Sequence, residues 1–148
     1  ITYHSLEDRM EKNIMKTVDN AKIAELLKEA AASPRRRTHL NLHESTDDPT
    51  NRLLVVCRPD TVIAPHRHMT KWELFTILEG KIAAYTYDDD GNVQEKVILG
   101  EDAKIVEIPA AVWHNFVALT PACAMEVKYG PYAPLTAEEK APFAGVLP

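Results

Sequence analysis

The sequence predicts an all-β barrel or sandwich preceded by a helical extension, on three observations. Residues 38–43, 53–57, 62–68, 74–78, 81–87, 93–99, 103–108, 114–119 and 123–129 are short apolar or alternating runs punctuated by Gly, Pro or Asp. Asp88-Asp89-Asp90-Gly91-Asn92 between two of them is a strong hairpin signal. The clearest helical periodicity lies ahead of all of them, before residue 37.

At the start, Ser5 followed by Asp8 is a weak helix start, and Leu6, Met10 and Ile14 share a helical face. The chain does not open on Met, while Met10 and Met15 can each initiate, so residues 1–14 receive no functional role. Asp19 then caps a helix in which Ile23, Leu26, Leu27, Ala30 and Ala31 form one apolar stripe. Ser33-Pro34 ends it, because proline disfavours helix in the residue before it. The stripe predicts packing against the outside of the barrel.

Residues 38–43 alternate, with Thr38, Leu40 and Leu42 facing one way and His39, Asn41 and His43 the other. A strand with one wet face is the plain reading. Three hydrogen-bonding side chains on one face also suit a pocket wall. Arg35-Arg36-Arg37 sits at the helix end, where basic groups suit the dipole. Because guanidinium clamps carboxylate or phosphate two-pronged, Arg35 or Arg37 is a candidate for holding an anionic part of a substrate. Asp47-Asp48-Pro49 and the Asp88–90 triplet read as turns, the latter lacking the remaining spacing of a calcium loop. The proline-rich tail, residues 130–148, reads as an ordered wrap anchored by Tyr132 and Phe143. Glu126 and Lys128 share a strand face with Ala124, and pairing with each other is preferred over reaching a cavity.

Composition narrows the classes. The 148 residues suit one domain able to bury a core without staples. Seventeen basic against 22 acidic residues give a net charge of −5, which argues against a general nucleic-acid binder. No apolar run approaches the roughly 18 residues of a membrane span, and no secretory signal opens the chain. Cys57 and Cys123 lie far apart in apolar runs and read as buried free thiols. The expectation is a cytoplasmic protein.

The chemistry concentrates in PHRHMTKWELFTILEG, residues 65–80. On a strand, side chains two apart face the same way, so His66 and His68 offer two imidazoles to one point. Glu73 opens a second run that could pair with the first, four residues later. His114, at the start of another apolar run, would be brought alongside by a return strand. Val112, Phe116 and Ala118 would then share its inward face, with Trp113 pointing away. Three His and one Glu make a ligand set for one divalent transition metal (iron, manganese, nickel or zinc) with exchangeable positions left over.

His66-x-His68, four residues, Glu73, six residues, Gly80 resembles the first motif of the cupin superfamily, with Asp60 where that motif opens on glycine. The second motif is matched at Pro109 and His114, with Ala103 and Ala111 at its glycines and Ala118 at its asparagine. SPRRRTHLNLH, PHRH with Lys71-x-Glu73, and EVKYGPY are similar to the WbuC-type cupin fold metalloproteins, small bacterial proteins of unestablished reaction. The resemblance implies a single cupin barrel (double-stranded β-helix or jelly roll) over residues 38–148 with a C-terminal wrap, and residues 1–37 as a helical extension packed on it. It implies His66, His68, Glu73 and His114 as metal ligands, and raises Asn41 and His43 as cavity-lining groups.

The functional expectation is a metal-dependent enzyme acting on a small polar molecule, such as a sugar or sugar-derived acid. The metal would bind its oxygens while His43 or Lys71 moves a proton and Arg35, Arg37 and Asn41 hold the substrate. Iron-dependent dioxygenation is the first alternative, and a ligand-binding or sensory cupin without turnover the second. A small-molecule ligand, no nucleic acid, no membrane, and a homodimer built on exposed β-faces complete the expectation.

Overall fold

The computed structural model describes residues 5–148; the first four residues of the expected extension lie outside them. Helix α1 (Leu6–Glu11) starts at Ser5, whose side chain accepts from the Asp8 backbone N–H while Asp8 reaches back to the cap. Helix α2 (Asn20–Ala32) starts where Asp19 Oδ1 accepts the Lys22 N–H at 2.9 Å and stops at Ser33, before Pro34. No described helix is long and apolar enough to cross a membrane.

Eight strands follow: β1 (Arg37–Asn41), β2 (Thr50–Cys57), β3 (Glu73–Glu79), β4 (Ile82–Tyr87), β5 (Val93–Leu99), β6 (Ile105–Ile108), β7 (Trp113–Ala118) and β8 (Ala122–Tyr129). They form a five-stranded sheet in the order β1-β2-β8-β3-β6 and a three-stranded sheet in the order β5-β4-β7. Every pairing is antiparallel.

Alternation along the strands sorts side chains into three apolar layers. Between the sheets lie Cys57, Phe75, Ile82, Leu99, Ile108, Ala118, Ala122 and Ala124. Outside the large sheet, Ile23, Leu26 and Ala30 of α2 cover Leu54, Val56 and Cys123, with Leu40 and Leu42 alongside. Outside the small sheet, Phe143 and Val146 of the C-terminal tail cover Tyr85, Tyr87, Trp113 and Val117. Leu26 and Leu54, both fully buried, each contribute roughly 2 kcal/mol on burial. Both thiols are free and buried.

Two expected elements differ. Residues 62–68 are extended but form no strand, and only His66 makes isolated bridges, to His114 and to Lys140. Pro65 has no N–H to give a ladder, and the segment leaves the large sheet after β2, crosses to the edge of the small sheet at His114 and returns to the large sheet at β3. Glu73 accordingly does not pair with the His66–His68 segment, because β3 lies between β6 and β8. In the tail, Phe143 is an anchor as expected, whereas the Tyr132 ring is 59% exposed and only its backbone N–H is tied, to the Thr46 carbonyl.

Gly80 sits at φ +76°, where a Cβ would run into the Pro121 carbonyl oxygen, so the turn after β3 requires glycine.

Candidate metal centre and adjoining pocket

Four side chains from three places in the chain meet at the mouth of the inter-sheet space. Glu73 is the first residue of β3, laddered to β6 and β8, and His114 the second of β7, laddered to β4 and bridged by His66 on its other side. His66 and His68 come from the crossing segment. The His66 N–H donates to the His114 carbonyl at 3.0 Å and the His114 N–H donates back to the His66 carbonyl at 2.9 Å. The ligating atoms of all four lie within 4.8 Å of one another.

The hydrogen bonds behind the rings settle which nitrogen faces inward. Nδ1 of His66 lies 2.9 Å from the Ala64 carbonyl, and Nδ1 of His114 lies 2.9 Å from the Val112 carbonyl. A carbonyl only accepts, so each Nδ1 carries a proton, and in the neutral ring each Nε2 presents a lone pair. His114 Nε2 then lies 2.8 Å from Glu73 Oε1, which is also 3.0 Å from His68 Nε2. Both Glu73 and His114 are buried, and neither Glu73 Oε1 nor His114 Nε2 has a hydrogen-bond partner. With the ring neutral, its lone pair and a carboxylate oxygen held this close repel unless a cation lies between them. The donor set therefore fits a divalent transition ion.

Electrostatics agree. Burial, then the neighbouring His114, lowers the His66 pKa to about 4, so the ring is neutral at pH 7 as a ligand must be. Burial alone would raise the Glu73 pKa, but positive charge on the imidazole side, where His114 and His68 face it, and contact with Glu126 hold it well below the usual carboxylate range. Burial, then contact with Glu73, raises that of Glu126 to about 8. Lys128 Nζ lies 3.7 Å from Glu126 and 4.0 Å from Glu73.

Beside this cluster is a pocket of about 470 Å³, within the size range of small-molecule sites. Arg35, Arg37, His39, Asn41 and His43 line it from β1 and its flanks, as the alternation predicts for that face, with Asn51, Lys128 and Tyr132 opposite. Its floor is apolar: Leu53, Val55, Cys57 and Ile63. His66, His68, Glu73 and His114 are not part of its wall; Lys128 is the residue shared between pocket and cluster. The His43 ring is buried and anchored, its Nδ1 accepting the Arg52 N–H at 2.9 Å. Lys71 is not in the wall: its Nζ donates to the Pro131 carbonyl at 2.8 Å.

Val112, Phe116 and Ala118 pack into the inter-sheet core while Trp113 faces the opposite layer, as their spacing predicts. Sequence reasoning passed over Glu126 and Lys128 as a self-contained pair, because the strand order that sets Lys128 opposite Glu73 is not written in local alternation. It also passed over Glu139, whose Oε2 accepts the Met69 N–H at 2.9 Å and whose carbonyl accepts the Arg67 N–H, holding the crossing segment from outside. Arg67 further stacks over Trp113 at 4.0 Å.

Among solved structures, the chain is similar to KdgF from a Halomonas species (TM-score 0.53, 18% identity, covering 68% of this chain and 84% of that one). It is similar to TT1209 from Thermus thermophilus (TM-score 0.56, 18% identity, 78% and 97% covered). A third is a cupin superfamily protein from Desulfitobacterium hafniense (TM-score 0.50, 15% identity, 63% and 76% covered). At these identities the likeness establishes the fold, an all-β cupin barrel with a short helical N-terminus. No curated protein matches the chain. The model of one family, described as a domain of unknown function (DUF6016), matches residues 18–99, a stretch that holds α2, β1 and the candidate ligands His66, His68 and Glu73. That is more than half of the chain, and the protein belongs to this family.

Proposed function

We propose that the protein is a metal-dependent enzyme in which His66, His68, Glu73 and His114 hold one divalent transition ion, and that its substrate is a small anionic molecule seated in the adjoining pocket. The observation that carries this reading is the buried 2.8 Å approach of His114 Nε2 to Glu73 Oε1, two acceptors that need a cation between them. A bound ion would supply a Lewis acid, polarising a substrate oxygen or lowering the pKa of a bound water.

The chain's own groups do the rest. Arg35 and Arg37 attract and orient the anion, and Asn41 hydrogen-bonds its polar edge. His43, held by the Arg52 backbone with its ring buried in the pocket wall, moves a proton. Lys71, tied to the Pro131 carbonyl, is less well placed for that role. Burial and contact with Glu73 favour the protonated form of Glu126, which lets it donate to that carboxylate.

We infer kinship with the WbuC-type cupin metalloproteins from the same layout. The three similar blocks, around residues 33–43, 65–73 and 126–132, contribute pocket wall, metal ligands and the Lys128–Tyr132 edge respectively. A sugar-derived acid, suggested by the association of those proteins with surface-polysaccharide genes, is one member of the substrate class.

Elemental analysis of protein purified without added metal tests the reading. About one transition ion per chain is expected, lost in the His66→Ala/His68→Ala variant. Unchanged metal content in that variant would refute the ligand set. Iron with substrate-dependent O₂ uptake would shift the reaction to dioxygenation; tight binding of a metabolite recovered unaltered would replace catalysis with sensing.

A further inference from the structure

The pocket wall is basic and carries no acid. Arg35, Arg37 and Lys128 line it, and no Asp or Glu is among its described lining residues. The chain supplies no counter-ion on that wall, so an anion from outside is favoured there. The cations are not equally placed. Arg37 pairs with Cys57 on β2, six residues along that strand from Asn51, which is about 20 Å. Asn51 stands opposite Lys128 on β8, and Lys128 opposite Glu73 on β3. Lys128 is therefore one strand away from a candidate ligand, whereas Arg37 stands at the far rim, separated from Glu73 across the strands as well as along them.

Residues directly opposite in an antiparallel ladder share a face, so Lys128 points inward with Glu73. Its Nζ lies 3.7 Å from Glu126 Oε1 and 4.0 Å from Glu73 Oε2, both longer than a hydrogen bond. No described residue offers it a closer acceptor, which leaves its N–H donors to water or to whatever enters the pocket. The nearby carboxylates do not exhaust its charge either. A divalent ion on the four candidate ligands would outweigh the one carboxylate of Glu73. Adding Lys128 keeps the centre in positive excess even with Glu126 ionised.

We propose that Lys128 contacts the substrate, its ammonium taking the carboxylate of a small acid held against the metal cluster. The inference rests on the function proposed above and deepens it by naming the cation that meets the substrate's charged group beside the ion. Arg35 and Arg37 draw the same anion in from the outer rim.

Visible-absorption titration of the cobalt(II)-loaded full chain with glycolate and glycolamide tests this. The two probes are alike in size and hydroxyl group, and glycolate alone is charged. Glycolate should bind at least about tenfold more tightly than glycolamide. Lys128→Met keeps the apolar stem and removes the charge. It should weaken glycolate about tenfold, leave glycolamide within about twofold, and leave cobalt affinity unchanged or higher, because a neighbouring cation repels the ion. Lys128→Arg should retain most of the glycolate affinity. Should Lys128→Met fail to fold, Lys128→Gln carries the same comparison. Equal binding of the two probes by the wild-type protein, or unaltered glycolate affinity in Lys128→Met, would overturn the inference while the broader function stands. So would an equal loss of glycolate, glycolamide and cobalt, the mark of a lysine that only supports the centre. A wild-type protein that binds no cobalt, or that binds cobalt and neither probe, would instead overturn the broader function and this inference with it.

Discussion

The four candidate ligands are held in two different ways. Glu73 and His114 belong to strands, each laddered on at least one side and nearly closed off from solvent, at 3% and 1% exposure. His66 and His68 belong to a crossing segment with no strand of its own, pinned by a single bridge to His114 and by the C-terminal residues 139–141. One half of the centre is built into the fold, and the other is strapped against it. Substitutions in the two halves should therefore separate loss of metal from loss of stability.

The largest effect is expected at the strand-held half. His114→Ala should lower metal affinity by at least about a hundredfold, and should also destabilise the metal-free protein by roughly 2–3 kcal/mol, because it opens a cavity in a closed site. His68→Ala, in the strapped half, should lose metal comparably but leave the denaturant midpoint of the metal-free protein nearly unchanged. Parallel metal titrations and urea unfolding of the two variants check this. Equal destabilisation would erase the distinction between the halves.

The strap should have its own, smaller signature. Glu139→Ala removes the acceptor of the Met69 N–H without touching a ligand. By analogy with groups that support metal ligands from behind, affinity should fall by about tenfold, read as faster metal release to a chelator. Release at the unaltered rate would mean that the backbone bonds to His114, Ala111 and residues 139–141 position the segment without the Glu139 side chain.

Much of this was legible in the sequence, and the remainder has a definite physical reason. Local patterns are enough where one side chain's environment depends on its near neighbours. The alternation of residues 38–43 separated Leu40 and Leu42 from His39, Asn41 and His43; the structure packs the first two beneath α2 and turns the other three to the pocket, and the stripe at Ile23, Leu26 and Ala30 named the buried face of α2. The spacing of His66, His68 and Glu73 foresaw a convergence that the structure also brings about. What local patterns do not carry is partner choice. That β8 lies between β2 and β3, placing Lys128 and Glu126 beside Glu73, depends on closure of the whole sheet. The crossing segment looked like a strand because its composition suits one; its hydrogen bonds go instead to His114, to Ala111 and to residues 139–141 of the tail.

The two sheet faces make a further comparison through their thiols. Cys57 packs between the sheets and Cys123 beneath α2, and burial raises both pKa values to about 11. The unfolded thiols ionise near 9, so any stability from keeping them neutral is fully present below pH 9 and is lost as pH rises toward 11. Neither thiol should react with a maleimide at pH 7.5 in the folded protein, and the denaturant midpoint should decline between pH 9 and 11, less so in a Cys57→Ala/Cys123→Ala variant. Rapid labelling of either cysteine alone would show that its layer opens locally.

The smallest expected effect has the opposite sign. Ala111 occupies the left-handed region at φ 65°, at the position where the cupin motif has glycine, in the turn that delivers His114. Its N–H donates to the His68 carbonyl at 2.8 Å, so the turn also ties the strapped half of the centre to the strand-held half. A Cβ in that conformation costs roughly 1–2 kcal/mol, which Ala111→Gly would relieve. Against this, glycine gives the unfolded chain more freedom, costing about 0.4–1 kcal/mol. Ala111 is exposed, so no packing is lost. The net is a gain of roughly 0.5–1 kcal/mol, visible as a small upward shift of the urea midpoint. Because the donated hydrogen bond survives the change, metal affinity should hold or rise. A lower midpoint would mean that the Ala111 methyl group, rather than the left-handed backbone, dominates that turn.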